Sequence, residues 1–180
     1  GNVWIGGIQS SVICYLAKEN RFRFYPSQPV RSFTELSKGK LLLSCSYGLI
    51  LLDTETGNDE ILLDGYHIHG TLVIDDKIWA LTSGVGLIQY DYKTKAINKI
   101  TTESGLPSNF VNSIIYANGS LWLGTESGLS RYNPSDGSIL SYSSIFSLSS
   151  ISFNINSYCK LRNGNLIWGT NNGALMFDPN

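Results

Sequence analysis

The chain has 180 residues, a formal net charge of -1, 42% hydrophobic and 15% charged residues. That length and apolar content fit one globular domain and exclude a disordered chain. The near-neutral balance, with Lys and Arg scattered singly outside Arg21 to Arg23, gives no electrostatic footprint for nucleic acid or an anionic membrane surface.

Eighteen Gly, ten Tyr, seven Phe and four Trp favour strands and turns. In chain order, one pattern recurs five times: an apolar run, a small polar turn with Gly, a second apolar run and an Asp/Asn-rich turn. The copies are "VWIGGIQSSVICYLAKEN", "LLLSCSYGLILLDTETG", "IWALTSGVGLIQYDYKTK", "LWLGTESGLSRYNPSDG" and "LIWGTNNGALMFDPN". Anchored on Trp4, Leu42, Trp79, Trp122 and Ile167, they stand 38, 37, 43 and 45 residues apart. A period near 40 with several strands per repeat predicts an all-β fold, a β-propeller of four-stranded antiparallel blades.

The second repeat shows the expected strands most regularly. Strand A runs from Val30 to Leu36, B from Leu41 to Ser46, C from Leu49 to Asp53 and D from Glu60 to Leu63, and Asp64 to His69 links to the next blade. Runs such as "LLLSCS" are apolar at consecutive positions, as a strand covered on both faces requires. Gly48, Gly128 and Gly173 mark B-to-C turns, read as needing φ > 0. Copy three has an extra residue, Val85 between Gly84 and Gly86, read as a bulge. Asp136-Gly137 and Thr56-Gly57 mark C-to-D hairpins.

The repeats divide the single domain, 1–180, at approximately 1–29, 30–65, 66–108, 109–153 and 154–180. Counting B-C-D, three full blades and a final A-B-C makes eighteen strands, about 4.5 blade equivalents. The chain opens inside a strand with no initiator Met, which reads as a segment excised from a larger propeller. Open blade faces and edge strands then imply self-association or remaining blades as partners.

"GLPSNFVNSIIYANGSLWLGTESGLSRYNP", Gly105 to Pro134, closely resembles the two-component regulator propeller repeat. "NGNLIWGTNNGALMFDPN" resembles it again, with Trp168 displaced by one position, and "VWIGG" matches its start. The resemblance implies a ligand-sensing, non-enzymatic domain in the periplasm, the extracytoplasmic part of an inner-membrane hybrid two-component system. It implies an oligosaccharide ligand, signalling to a histidine kinase outside this segment, and contact with a membrane only through the parent protein. A protein-binding or dimerisation scaffold is the first alternative, and a propeller polysaccharide lyase or glycosidase the second.

Trp4, Trp79, Trp122 and Trp168 recur on strand B, so packing between blades explains them better than sugar stacking. His67 and His69 share a face if extended, but no third metal ligand can be named. The acidic loop Asp53 to Glu60 lacks calcium-loop spacing and reads as a solvated turn. Cys14, Cys45 and Cys159, far apart and odd in number, read as buried thiols. No nucleophile elbow, metalloprotease or phosphate-loop motif is present, and no cofactor or metal is expected. In a propeller the D-to-A loops and B-to-C turns share one end. The candidate ligand-binding residues are therefore Tyr47, Tyr66, His67, His69, Asn109, Phe110, Glu126, Asn171 and Asn172, with Ser108 beside them. Their aromatic, amide and hydroxyl chemistry suits neutral, hydroxyl-rich ligands.

Overall fold

The computed structural model describes residues 1–7, 12–142 and 150–180. In these, eighteen strands make five antiparallel sheets of three or four strands, with one short 3-10 helix. The B-to-C turn of the first repeat (8–11) and most of the link between the fourth and fifth repeats (143–149) lie outside the described residues. The chain forms two compact units, Gly1–Asp75 and Asp76–Asn180.

In the first unit, β1 (Val3–Ile5), β2 (Val12–Leu16) and β3 (Arg21–Tyr25) form one sheet in chain order. A second holds β4 (Val30–Ser37), β5 (Lys40–Cys45), β6 (Gly48–Asp53) and β7 (Asp59–Asp64). β8 (Ile68–Ile74) closes the unit by packing on β4 and β5, where Thr71 Oγ1 donates to Thr34 Oγ1 at 2.8 Å. Leu41 to Cys45 and Gly48 to Leu52 are buried at every position, as the consecutive apolar runs require. The first sheet is different. Its inner face joins Val12, Cys14 and Tyr25 to Leu41, Leu43, Ile50 and Leu52 of the second, with Trp4 and Phe33 packed alongside. Its outer face lines up Val3, Ile5, Ile13, Tyr15, Phe22 and Phe24 by direct cross-strand pairing. Val3, Ile5, Phe22 and Phe24 are exposed there.

In the second unit, β9 (Lys77–Thr82), β10 (Leu87–Asp91) and β11 (Ile97–Ile100) precede the 3-10 turn Thr102–Ser104. Then come β12 (Val111–Ala117), β13 (Ser120–Thr125), β14 (Gly128–Tyr132) and β15 (Ile139–Ser141), a sheet in chain order. The last sheet has three strands, β16 (Phe153–Lys160), β17 (Leu166–Thr170) and β18 (Gly173–Phe177). Trp122, Leu129 and Ile115 of the four-stranded sheet meet Phe153, Leu166 and Trp168 of the three-stranded one in a single cluster.

Three expectations are corrected by the structure. Gly48 is not at positive φ; a Cβ there would collide with the Leu63 carbonyl oxygen, so close backbone approach is what demands glycine. The extra residue in copy three is absorbed in the turn Ser83–Gly86, because β9 and β10 pair without a register shift. Cys14 and Cys45 are buried free thiols, and burial raises both, Cys45 to about 11. Cys159, by contrast, is exposed, since it pairs with Ile167 on the face of β16 and β17 opposite Trp168.

A single device shapes the C-to-D turns. Asp53 Oδ1 accepts from the N–H groups of Glu55 and Thr56 at 3.0 and 2.9 Å, and Asp91 Oδ1 does the same for Lys93 and Thr94 at 3.0 and 2.8 Å. Lys40 Nζ donates to the other Asp53 oxygen at 2.7 Å, and Lys77 pairs likewise with Asp91. The lysine bond, then the turn N–H groups, hold both carboxyls well below the usual carboxylate range. A depressed folded pKa gives stability that is complete above the unfolded value of about 4 and is lost as pH falls through the folded value. Asn133 accepts from Ser135 N–H at the matching place without charge, so asparagine preserves the turn. The melting temperature of the wild type is expected to fall between pH 5 and pH 2 (about that window). A double variant Asp53→Asn, Asp91→Asn should show a flatter acid limb. Identical limbs would contradict this account.

Candidate functional site

The loops expected to gather at one end do so within each unit, because antiparallel pairing returns the end of each B strand and the start of the next A strand to the same side. In the second unit the connection from β11 to β12 is stitched to both neighbouring turns. The N–H groups of Gly84 and Gly86 donate to Asn109 O at 3.1 and 2.9 Å, and Glu126 N–H donates to Phe110 O at 3.2 Å. Asn109 Oδ1 accepts from Thr102 N–H at 2.9 Å, and Ser108 Oγ accepts from Phe110 N–H at 3.0 Å. Asn109 is thus committed to holding the loop, which leaves Phe110, 41% exposed, standing beside the Glu126 turn and over Gly84.

The turn from β17 to β18 repeats the scheme. Asn171 N–H donates to Ser152 O at 2.9 Å, its Oδ1 accepts from Ser152 N–H at 3.1 Å, and its Nδ2 donates to Ser150 O at 3.3 Å. Asn171 is a loop fastener in the way Asn109 is, whereas Asn172, next along the turn, is exposed. In the first unit, Gly65 N–H donates to Tyr47 O at 2.9 Å, which brings the turn bearing Tyr47 to the connection bearing Tyr66 and His67. Tyr47 is 67% exposed, His67 exposed and Tyr66 half-buried.

His69 departs from expectation. The D-to-A link closes in three residues, Gly65 to His67, so His69 falls inside β8 and is 1% exposed. It therefore does not pair with His67 at the surface. Among the described residues no group of three His, Cys, Asp or Glu side chains could hold a metal ion.

Sequence reasoning missed the threonine that ends each of three B strands. Thr125 and Thr170 donate to Gly128 O and Gly173 O at 2.9 and 3.0 Å and accept from Ser127 and Asn172 N–H at 3.1 and 3.2 Å. Thr82 closes its longer turn in the same way. The recurring Thr before a turn glycine carried that signal. Sequence reasoning also missed two recesses away from these loops. One, about 420 Å³, is lined chiefly by Trp122, Leu129, Arg131, Tyr142, Leu175 and Phe177; the other, about 510 Å³, by Trp4, Glu35, Lys40 and Thr54. Neither contains a candidate loop residue.

Residues 105–127 match the family described as two component regulator propeller. Among solved structures, the chain is similar to the extracellular domain assigned to the hybrid two component system BT3049 of B. thetaiotaomicron (22% identity, TM-score 0.80), over 99% of this chain and 26% of that one. It is similar to the corresponding domain of BT4673 from the same organism (18% identity, TM-score 0.72), over 98% and 30%. The β-propeller domain of Cps50 (Swd1) from Myceliophteria thermophila matches at 14% identity and TM-score 0.71, over 94% and 59%. No curated protein sequence matches the chain. The chain spans about a quarter of the length of the first of these neighbours. At these identities the likeness establishes the fold: all-β, part of a propeller.

Proposed function

We propose that this chain, which carries a two component regulator propeller repeat within a propeller fold, is part of the extracytoplasmic sensor of a hybrid two-component system and binds an oligosaccharide on the loop face of its second unit. The observation that carries the reading is the Phe110 loop. Hydrogen bonds from both flanking turns hold it in place, so an exposed aromatic ring is presented beside Glu126 with little ordering left to do on binding. A flat apolar ring stacks on the C–H face of a sugar, while a carboxylate accepts from its hydroxyls. The signal then passes to a histidine kinase elsewhere in the parent protein.

A glycan array probed with the 180-residue chain tests this. At least one oligosaccharide class should bind, and Phe110→Ala should weaken it about tenfold, the loss of roughly 1.4 kcal/mol. Glu126→Gln should shift the preference among hydroxyl patterns. Binding that is indifferent to both substitutions, or silence across the array, contradicts the proposal.

A second reading, a surface for protein contact, is favoured by the outer face of β1 to β3. Phe22 and Phe24 are 56% and 66% exposed there, beside Val3 and Ile5. On that reading Phe24→Glu abolishes self-association seen by light scattering, and a wild-type chain that is monomeric at high concentration excludes it.

A further inference from the structure

The loop face of the first unit carries a cation where the second unit carries a carboxylate. In the pairing of β4 with β5, Val30 stands opposite Cys45 and Ser32 opposite Ser44, so Arg31 is an extra residue and the strand bulges. β12 and β13 pair in the same way, with Val111 opposite Thr125 and Ser113 opposite Gly124, and there the extra residue is Asn112. The residue after the B strand differs too: Ser46 follows Cys45, whereas Glu126 follows Thr125. One sheet thus offers a guanidinium at the bulge and a hydroxyl at the turn, the other an amide and a carboxylate.

The two bulge residues are used differently. Asn112 is buried, and its Nδ2 donates to Phe153 O at 2.7 Å, tying two sheets together. Arg31 is exposed, and its Nε donates to Ser46 Oγ at 3.2 Å. The other two arginines of this unit are engaged: Arg21 pairs with Glu19, and Arg23 donates to the carbonyls of Thr54 and Glu55. Among the described residues Arg31 has no carboxylate partner, Asp64 included, and its two Nη groups make no hydrogen bond. The Ser46 contact holds the guanidinium and leaves its end-on pair of N–H groups open, a fork that fits a carboxylate or a sulfate. Beside Ser46 stands Tyr47, 67% exposed, and the bond from Gly65 N–H to Tyr47 O draws in the exposed His67.

We propose that Arg31, Tyr47 and His67 form a second subsite, on the loop face of the first unit, that takes the anionic group of an acidic oligosaccharide, a uronate carboxylate or a sulfate. Arg31 receives the anion end-on, the Tyr47 ring stacks on the C–H face of the sugar, and the His67 imidazole donates to a neighbouring oxygen. That a sugar carries the anion rests on the reading of the chain as a glycan sensor. The preference for charge rests on Arg31.

Titration calorimetry of the 180-residue chain tests this. The probes are an oligogalacturonate with its carboxyl-reduced counterpart, a sulfated galactan oligosaccharide with its desulfated counterpart, and inorganic sulfate. At least one acidic probe should bind, about tenfold or more tighter than its neutral counterpart, and the two arms tell carboxylate from sulfate. Arg31→Gln should remove that margin and Arg31→Lys restore only part of it, because lysine offers no fork. Arg21→Gln, the same loss of charge elsewhere on the unit, should leave it in place. Near-ultraviolet circular dichroism confirms that each variant is folded. A margin that survives Arg31→Gln, or falls equally in Arg21→Gln, overturns the proposal. So does equal affinity for acidic and neutral probes, or inorganic sulfate bound as tightly as any oligosaccharide. Silence toward every acidic probe, with a neutral oligosaccharide still bound through Phe110, overturns this subsite and leaves the reading of the second unit standing. Silence toward all sugars overturns both.

Discussion

Replacing Gly124 by valine is expected to destabilise the second unit by about 3 kcal/mol or more, among the larger effects of any single substitution in the chain. Gly124 lies in β13 between Ser113 of β12 and Phe153 of β16. A Cβ there would stand 2.7 Å from Phe153 Cγ and 2.8 Å from its Cβ, and closer still to Ser113 Oγ. Phe153 cannot retreat cheaply. It is fully buried and packs edge-on against Trp168 with ring centroids 6.3 Å apart. Gly124 is not at positive φ, so the demand is for space and not for backbone freedom. Alanine therefore costs nearly as much as a larger residue would at an ordinary site, and Phe153→Leu should recover part of the Gly124→Ala loss in a double-mutant cycle. Strict additivity in chemical denaturation would show that Gly124 answers to something other than Phe153.

The second large effect belongs to Trp168. Its ring, fully buried, stacks on Phe177 at 5.5 Å and 12° and closes over Phe153. Trp168→Ala removes the largest buried side chain of the last sheet and should cost about 4 kcal/mol, transfer and cavity terms together. Trp122→Ala should cost less, because Trp122 borders the open groove and its neighbours Tyr142 and Phe177 have room to settle. Equal losses would contradict the placement of the groove.

The blade plan was legible because its signals are local. Consecutive apolar runs, glycine at B-to-C turns and Asp or Asn at C-to-D turns define strands whatever lies beyond them. What a side chain faces depends on register, which is set across strands. Trp168 sits one position later than Trp122 in its repeat, and one residue on a strand exchanges faces. Trp122 accordingly looks toward the last sheet and Trp168 looks back from it, so the two share one cluster. Cys159 was misjudged for the same reason, being apolar in type but on the far face of β16. His69 was placed in a loop because the length of the D-to-A link is not written in residue types. Asn109 and Asn171 were chosen as ligand contacts for their amides, and those amides are engaged in fastening loops. Phe110 and Glu126 stand at the surface where the sequence argument put them. The three-stranded last sheet beside the groove was legible, because the repeat count ends on a final A-B-C.

Amide hydrogen exchange, with and without an oligosaccharide that binds, tests the central claim most directly. Recognition on the loop face of the second unit predicts added protection at Gly84, Gly86, Glu126 and the backbone of 105–110, with the opposite turns of that unit at 91–96 and 133–138 unchanged. Protection confined to those opposite turns, or to the strands lining the groove at β18, would contradict it.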